Sequence, residues 1–142
     1  MKLNTKHFGE IDVDENRIID FNEGIPGFES LKKFTLMSDE KDSDGLFYWL
    51  QSVDDTDVAF VLLNMVKIMP DYNPLVEKDQ LSELETTDEK NVNFYNIAVL
   101  PENINEMTVN LKAPVVINSE KKKGKQVVCM NDDYGVRHYM FK

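Results

Sequence analysis

Cysteine and long apolar runs are both scarce in this sequence. Its one cysteine, Cys129, cannot form an internal disulfide, which excludes the disulfide frameworks of small secreted domains and suits a reducing compartment. The longest apolar run, Val58 to Leu63, ends at Asn64 and falls far short of the ~20 residues that a membrane-spanning helix needs. Residues 1–7 lack the apolar stretch of a secretory signal. We therefore expect a cytoplasmic protein that does not associate with a membrane.

Groups that could carry catalysis are few and scattered. His7 and His138 stand at opposite ends of the sequence, and Cys129 lies in the apolar segment 127–130, where a packing role is typical. We find no nucleophile-elbow, zinc-protease or glycine-rich phosphate-binding motif. Segment 40–45 matches the first half of a calcium-binding loop, but Gln51 stands where the bidentate glutamate belongs, which favours a polar turn. We predict a protein that is not an enzyme, with no catalytic, cofactor or metal site.

Positive charge is also scarce, and it is unevenly distributed. The net charge is −10; residues 1–106 hold 9 Lys and Arg against 23 Asp and Glu, whereas residues 107–142 hold 7 against 3. A negative field repels nucleic acid and speeds the approach of a basic partner. An equal alternative is that the acidity only keeps the protein soluble and attracts no particular partner. The lysines of segment 121–125 are interpreted as a solvated hairpin tip, so no nucleic acid binding is expected.

Short apolar and aromatic segments between turn residues predict a mostly β protein. Runs 47–53 and 58–63, separated by an acidic turn, indicate an antiparallel hairpin whose second strand is covered on both faces. Segment 76–84 suits one short amphipathic helix. Further strands are predicted over 17–21, 34–37, 92–100, 107–111, 115–119, 124–130 and 136–141. The expected fold is a small antiparallel β-barrel-like single domain, residues 1–142, with one short helix.

Three loops are candidates for protein binding. Segment 24–28, Gly-Ile-Pro-Gly-Phe, is a rigid loop that presents Ile25 and Phe28, although both side chains could equally fill the core. Asp54, Asp55 and Asp57 flank an aromatic strand, a combination that suits a basic surface. Asp71 and Tyr72 form an acidic and aromatic pair in a third loop.

Taken in order, these segments resemble the flagellar assembly factor FliW family over nearly the whole length. The most specific match is Thr108 to Asn118, which reads Thr-Val-Asn-Leu-Lys-Ala-Pro-Val-Val-Ile-Asn. The other matching segments are 24–28, 47–54, 59–60, 70–72, 124–127 and 134–138. Seven blocks in the same order make chance similarity improbable.

The resemblance implies a β-barrel-like protein that binds two partners. FliW-like proteins bind CsrA, a basic RNA-binding regulator, and relieve its repression of flagellin translation. They also bind flagellin, so that new flagellin captures the factor, frees CsrA and couples the flagellin level to its own translation. An acidic antagonist gains association rate from the opposite charge of CsrA.

On this basis we expect protein contacts in the loops near 24–29 and 54–57, with aromatic anchors where these are exposed. Asn110, Gln126, Arg137 and His138 are expected mainly to make buried hydrogen bonds. The alternative function is a small-ligand-binding or enzymatic β-barrel with a site in the barrel mouth. The candidate protein-binding residues are Glu23, Ile25, Phe28, Glu29, Trp49, Asp54, Asp55, Asp57, Asp71 and Tyr72.

Overall fold

Short β-strands form most of the regular structure in the computed structural model, which describes residues 1–38, 42 and 44–141. Over these residues the strands are β1 Lys2–Thr5, β2 Gly9–Asp12, β3 Ile19–Asp20, β4 Lys33–Ser38, β5 Phe47–Ser52, β6 Ala59–Leu63, β7 Asn93–Val99, β8 Thr108–Val109, β9 Val115–Asn118, β10 Lys123–Gln126 and β11 His138–Tyr139. The α-helices are α1 Met65–Ile68 and α2 Lys78–Ser82, and single 3-10 turns cover Glu15–Arg17, Glu89–Asn91 and Ile104–Glu106. None of the helices in this part of the chain is long and apolar enough to cross a membrane.

Seven of the strands close into a barrel. Their order is β7, β6, β5, β4, β3, β10 and β9, and β9 returns to pair with β7. Neighbours are antiparallel except for β10 and β3, which run parallel where Lys123 lies opposite Asp20. β8 and β11 extend the sheet from β7, and β1 and β2 form a separate hairpin. The prediction of a mostly β barrel is confirmed, with a mixed rather than wholly antiparallel sheet.

The barrel interior is filled by apolar and aromatic side chains. Phe21, Phe34, Leu50 and Leu62 are completely buried there, and the rings of Phe21 and Phe34 meet edge to face at 5.1 Å. Gly124 lies against Phe21 so closely that a Cβ atom at this position would be 2.5 Å from the ring. Only glycine therefore lets β10 approach this packed core.

A second apolar cluster covers the outer face of the barrel. Leu63 and Ala98 of the barrel wall pack there against Met65 and Met107. Because Leu62 points into the barrel and Leu63 into this outer cluster, β6 is buried on both faces, as its apolar sequence predicts.

The helices and the N-terminal hairpin differ from the sequence predictions. The helix predicted over 76–84 is present as the shorter α2, but a second helix, α1, follows β6 directly. Its N-cap is Asn64, whose side chain accepts a hydrogen bond from the Lys67 amide at 3.3 Å. The β1–β2 hairpin was not predicted either. The turn predicted over 40–45 includes residues 40, 41 and 43, which lie outside the described residues.

Candidate protein-binding site

Three loops meet at one end of the barrel. Asp20 pairs with Lys33, Gln51 with Ala59, and Val99 with Thr108, so the loops 21–32, 53–58 and 100–107 leave the same edge of the strands. We call this edge the mouth end. Its loops carry acidic residues from three distant parts of the sequence: Glu23, Glu29, Asp54, Asp55, Asp57, Glu102 and Glu106.

The loop 24–29 is held rigidly by its own backbone. Gly24 has a φ of +67°, and a Cβ atom there would be 2.7 Å from the Glu29 backbone, so the position requires glycine. The Phe28 amide donates to the Ile25 carbonyl at 2.7 Å, and the Gly27 amide donates to both carboxylate oxygens of Glu29 at 2.9 and 3.0 Å. The positive φ angles expected of the glycines are present at Gly24 and at Gly27, where φ is +90°.

The two apolar side chains of this loop take opposite positions. Ile25 is 2% exposed and belongs to the barrel core, so it is not a surface contact. Phe28 is 40% exposed and its ring packs edge to face on Phe60 at 5.2 Å. Of the pair, only Phe28 is exposed at the surface.

The three aspartates of the loop 53–58 are exposed but not equivalent. Asp54 Oδ2 accepts hydrogen bonds from the Lys32 amide at 2.8 Å and the Lys33 amide at 3.1 Å, which fixes the loop to the start of β4. Asp55 Oδ1 accepts from the Asp57 amide at 3.0 Å. These bonds hold the carboxylates of Asp54 and Asp55 and the backbone of Asp57 in place, so little loop entropy would be lost if a partner bound this loop.

Glu23 is part of an ion-pair network within the chain. Its carboxylate lies 3.1 Å from Nζ of Lys125, which also pairs with Glu83. Burial alone would lower the pKa of Lys125, but the hydrogen bonds and charges of Glu83 and Glu23 outweigh it and raise this pKa above its ordinary value. Lys125 therefore stays protonated at neutral pH, and its positive charge offsets the negative charge of Glu23.

The remaining predicted contacts lie away from the mouth end. Tyr72 is 2% exposed in the outer cluster, so its prediction as a surface anchor is wrong. Its hydroxyl donates to the Leu111 carbonyl at 2.7 Å and accepts from Asn96 Nδ2 at 2.9 Å. Burial raises the pKa of Tyr72 above its ordinary value. Asp71 is exposed on the adjoining segment. Trp49 lies partly buried on the outer face of β5, where the ring of Phe8 covers it at 5.3 Å.

The mouth end also contains an apolar cleft of about 580 Å³. Phe60 and Ile97 form its floor and pack on the barrel core, while Val99, Val136 and Tyr139 stand at its rim. Because the interior beneath it is filled, the cleft is a surface depression rather than an internal chamber. Sequence reasoning missed it because five strands and several connecting segments each contribute only a few residues to its lining.

Polar side chains complete the cleft walls. Asn110 Oδ1 accepts from the Ala113 amide at 2.9 Å, and Gln126 Nε2 donates to the Ala113 carbonyl at 3.0 Å. Both make hydrogen bonds within the fold, although in partly buried rather than the expected buried positions. Arg137, in contrast, is exposed at the cleft, so the interpretation as a buried residue is wrong for it. His138 is partly buried in β11.

Comparison with known proteins identifies the family. The family model described as FliW protein matches residues 2–140. The chain is 44% identical over 140 residues to flagellar assembly factor FliW of Caldicellulosiruptor saccharolyticus, covering 99% of this chain and 90% of that protein. It is 41% identical over 142 residues to the FliW of Alkaliphilus metalliredigens, covering 100% and 87%. A crystal structure of the flagellar assembly factor FliW superposes with a TM-score of 0.88 at 35% identity, covering 100% of this chain and 98% of the other. The chain therefore belongs to the FliW family, which are flagellar assembly factors and not enzymes.

Proposed function

We propose that this chain acts in the cytoplasm by binding CsrA and flagellin in turn. In this function it sequesters CsrA, relieves the repression of flagellin translation, and is itself captured when free flagellin accumulates. Membership of the FliW family supports the proposal, since these partners are what the family resemblance implies. The single observation that carries it beyond the family is the convergence of acidic side chains at the mouth end.

The acidic loops suit a basic partner for two physical reasons. Asp55 and Asp57 are exposed in a turn whose backbone amides donate to side-chain oxygens, that of Asp55 to Ser52 Oγ and that of Asp57 to Asp55 Oδ1. A basic RNA-binding surface is steered toward such a cluster, which raises the association rate at low salt. The same field keeps RNA, whose phosphates are negative, from approaching the bound CsrA.

The proposal is tested by calorimetric titration of the protein with CsrA and with flagellin from the same organism. We expect both to bind at micromolar concentration in moderate salt. If neither does, the proposed function is lost.

A charge-reversal variant locates the CsrA contact. Replacing Asp55 and Asp57 by lysine should slow CsrA association at low salt more than it speeds dissociation, because exposed charges act mainly on the encounter. The matched control replaces Asp79 and Glu89, which are exposed outside the mouth end, and has the same net charge. Equal association rates for the two double variants, measured by stopped-flow fluorescence, would place the CsrA contact elsewhere.

A further inference from the structure

The mouth end exposes several large apolar side chains in addition to its acidic residues. The exposed fractions are 63% for Val99, 60% for Val136, 50% for Ile104 and 41% for Tyr139. Val99, Val136 and Tyr139 line one cleft, and Ile104 belongs to the loop 100–107 beside it. Single exposed apolar residues are ordinary, but a group of them around a depression marks a surface that another molecule covers.

The shape of the cleft favours a protein segment over a small molecule. Small-molecule sites enclose most of the ligand surface, whereas here the interior below the floor is filled and the apolar side chains stand at an open rim. Large apolar side chains entering from a partner would cover Val99 and Val136 while resting on Phe60 and Ile97. Burial of this kind is how an amphipathic segment binds a groove.

The charges around the cleft define the other half of the partner's chemistry. Glu106 is the carboxylate that lines the cleft itself. Glu29, Asp54, Asp57 and Glu102 are exposed in the mouth-end loops that surround it. Their exposed carboxylates would repel an acidic segment and attract lysine or arginine. Arg137 is the one cation among the described residues that line the cleft.

We propose that this cleft binds an amphipathic segment of a protein partner, with its large apolar side chains on Phe60, Ile97 and Val99 and its basic residues against the acidic loops. The proposal adds an apolar contact surface to the acidic one, and it rests on the proposed function only for the identity of the partner. Because the apolar contact is not electrostatic, it retains affinity at salt concentrations that weaken charge attraction.

One substitution with a matched control tests the cleft. Val99→Lys places a charge in the cleft that repels basic residues and removes apolar contact. Val128→Lys adds the same charge at a valine that is 68% exposed and does not line the cleft. Val99→Thr keeps the side-chain shape without adding charge. Circular dichroism and thermal unfolding establish that each variant is folded.

The first probe is a synthetic leucine–lysine peptide of roughly 14 residues, about four helical turns, with its leucines on one face. We expect it to bind the unmodified protein and the Val128→Lys variant equally, and the Val99→Lys variant about tenfold or more weakly, by fluorescence anisotropy. Val99→Thr should give a smaller loss that persists at high salt. Equal binding to Val99→Lys and Val128→Lys would overturn the proposal.

Purified CsrA and flagellin are the second and third probes in the same assay. We expect at least one of them to lose affinity for Val99→Lys and not for Val128→Lys. If both bind the unmodified protein and neither discriminates between the variants, the cleft is not a contact surface and the proposal fails. If neither binds the unmodified protein while the peptide still discriminates, the cleft stands and the proposed function is lost.

Discussion

The loop 21–32 joins two regions of the molecule that differ in what covers their aromatic side chains. Phe21 is completely buried and packs on Phe34, while Phe28 is 40% exposed and packs on Phe60. Both aromatic pairs are edge to face and about equally close, so the contact itself does not distinguish them. The difference lies in what covers the rest of each ring. Core side chains surround Phe21 completely, whereas part of Phe28 faces solvent. One loop therefore contributes an aromatic side chain to the core and exposes another at the surface.

The same contrast holds for charge. Glu23 is paired with the partly buried Lys125, whereas Asp57 is exposed in a turn and contributes its full charge to the field at the mouth end. An acidic residue that is already paired within the fold contributes less to attraction of a partner. The acidity of the sequence thus divides into a structural part and a part available for binding.

The largest expected effect separates the two phenylalanines. Phe21→Ala should lower the free energy of unfolding by about 3–5 kcal/mol, because it leaves a cavity in a filled barrel. Phe28→Ala, the matched control, should lower it by about 1 kcal/mol, since it loses mainly one aromatic pair. Urea unfolding followed by fluorescence measures both. Equal losses would mean that the mouth end is as tightly integrated as the interior.

A smaller effect is expected at the buried hydroxyl of Tyr72. Tyr72→Phe removes the donor to the Leu111 carbonyl and the acceptor for Asn96, and should lower the free energy of unfolding by roughly 1–3 kcal/mol. Tyr134→Phe is the control, because the Tyr134 hydroxyl bonds at the surface, where water replaces the lost partner. Partner affinities of both variants should match the unmodified protein, as Tyr72 is not exposed. Weaker partner binding by Tyr72→Phe alone would assign the residue to the interface after all.

Burial of Tyr95 against the barrel core should make the stability of the protein depend on pH in alkaline solution. Burial, with a smaller contribution from Tyr48, raises the pKa of Tyr95 to about 12, above the value near 10 of an unfolded tyrosine. The unfolded state therefore loses its proton first, so stability is complete below about pH 10 and falls as the pH rises toward about 12. Denaturant unfolding from pH 9 to 11 should show the Tyr95→Phe variant losing about 1 kcal/mol less than the unmodified protein. Parallel curves would show that Tyr95 is solvated in the folded state.

Much of the fold could be predicted from local sequence. The apolar run 58–63 predicts a strand buried on both faces, and β6 is such a strand, with Leu62 inside the barrel and Leu63 outside. The β1–β2 hairpin could not be predicted, because its strands Lys2–Thr5 and Gly9–Asp12 contain few apolar residues. Its position depends on Phe8, which packs on Trp49 from a distant segment.

The candidate site could be predicted only in part, because it too depends on contacts between distant segments. The acidic residues of 23–29 and 54–57 could be found from the sequence, but their convergence follows from strand order, which is a long-range property. Tyr72 was misassigned because an aromatic residue beside an aspartate in a loop gives no local sign of burial. The cleft depends on Val99 and Val136, which come together only when β7 and the segment before β11 meet at the mouth end.

The smallest expected effect distinguishes neighbouring aspartates. Asp54→Ala removes the acceptor of two backbone amides and should lower the free energy of unfolding by about 0.5–1 kcal/mol. Loss of a buried hydrogen bond would cost more, because here water can reach the amides of Lys32 and Lys33. Asp57→Ala removes an exposed carboxylate and should change stability by under about 0.5 kcal/mol. In CsrA binding the two should behave alike at low salt, since each removes one negative charge. A larger affinity loss for Asp54→Ala would show that the fixed geometry of the turn, and not only its charge, is recognised.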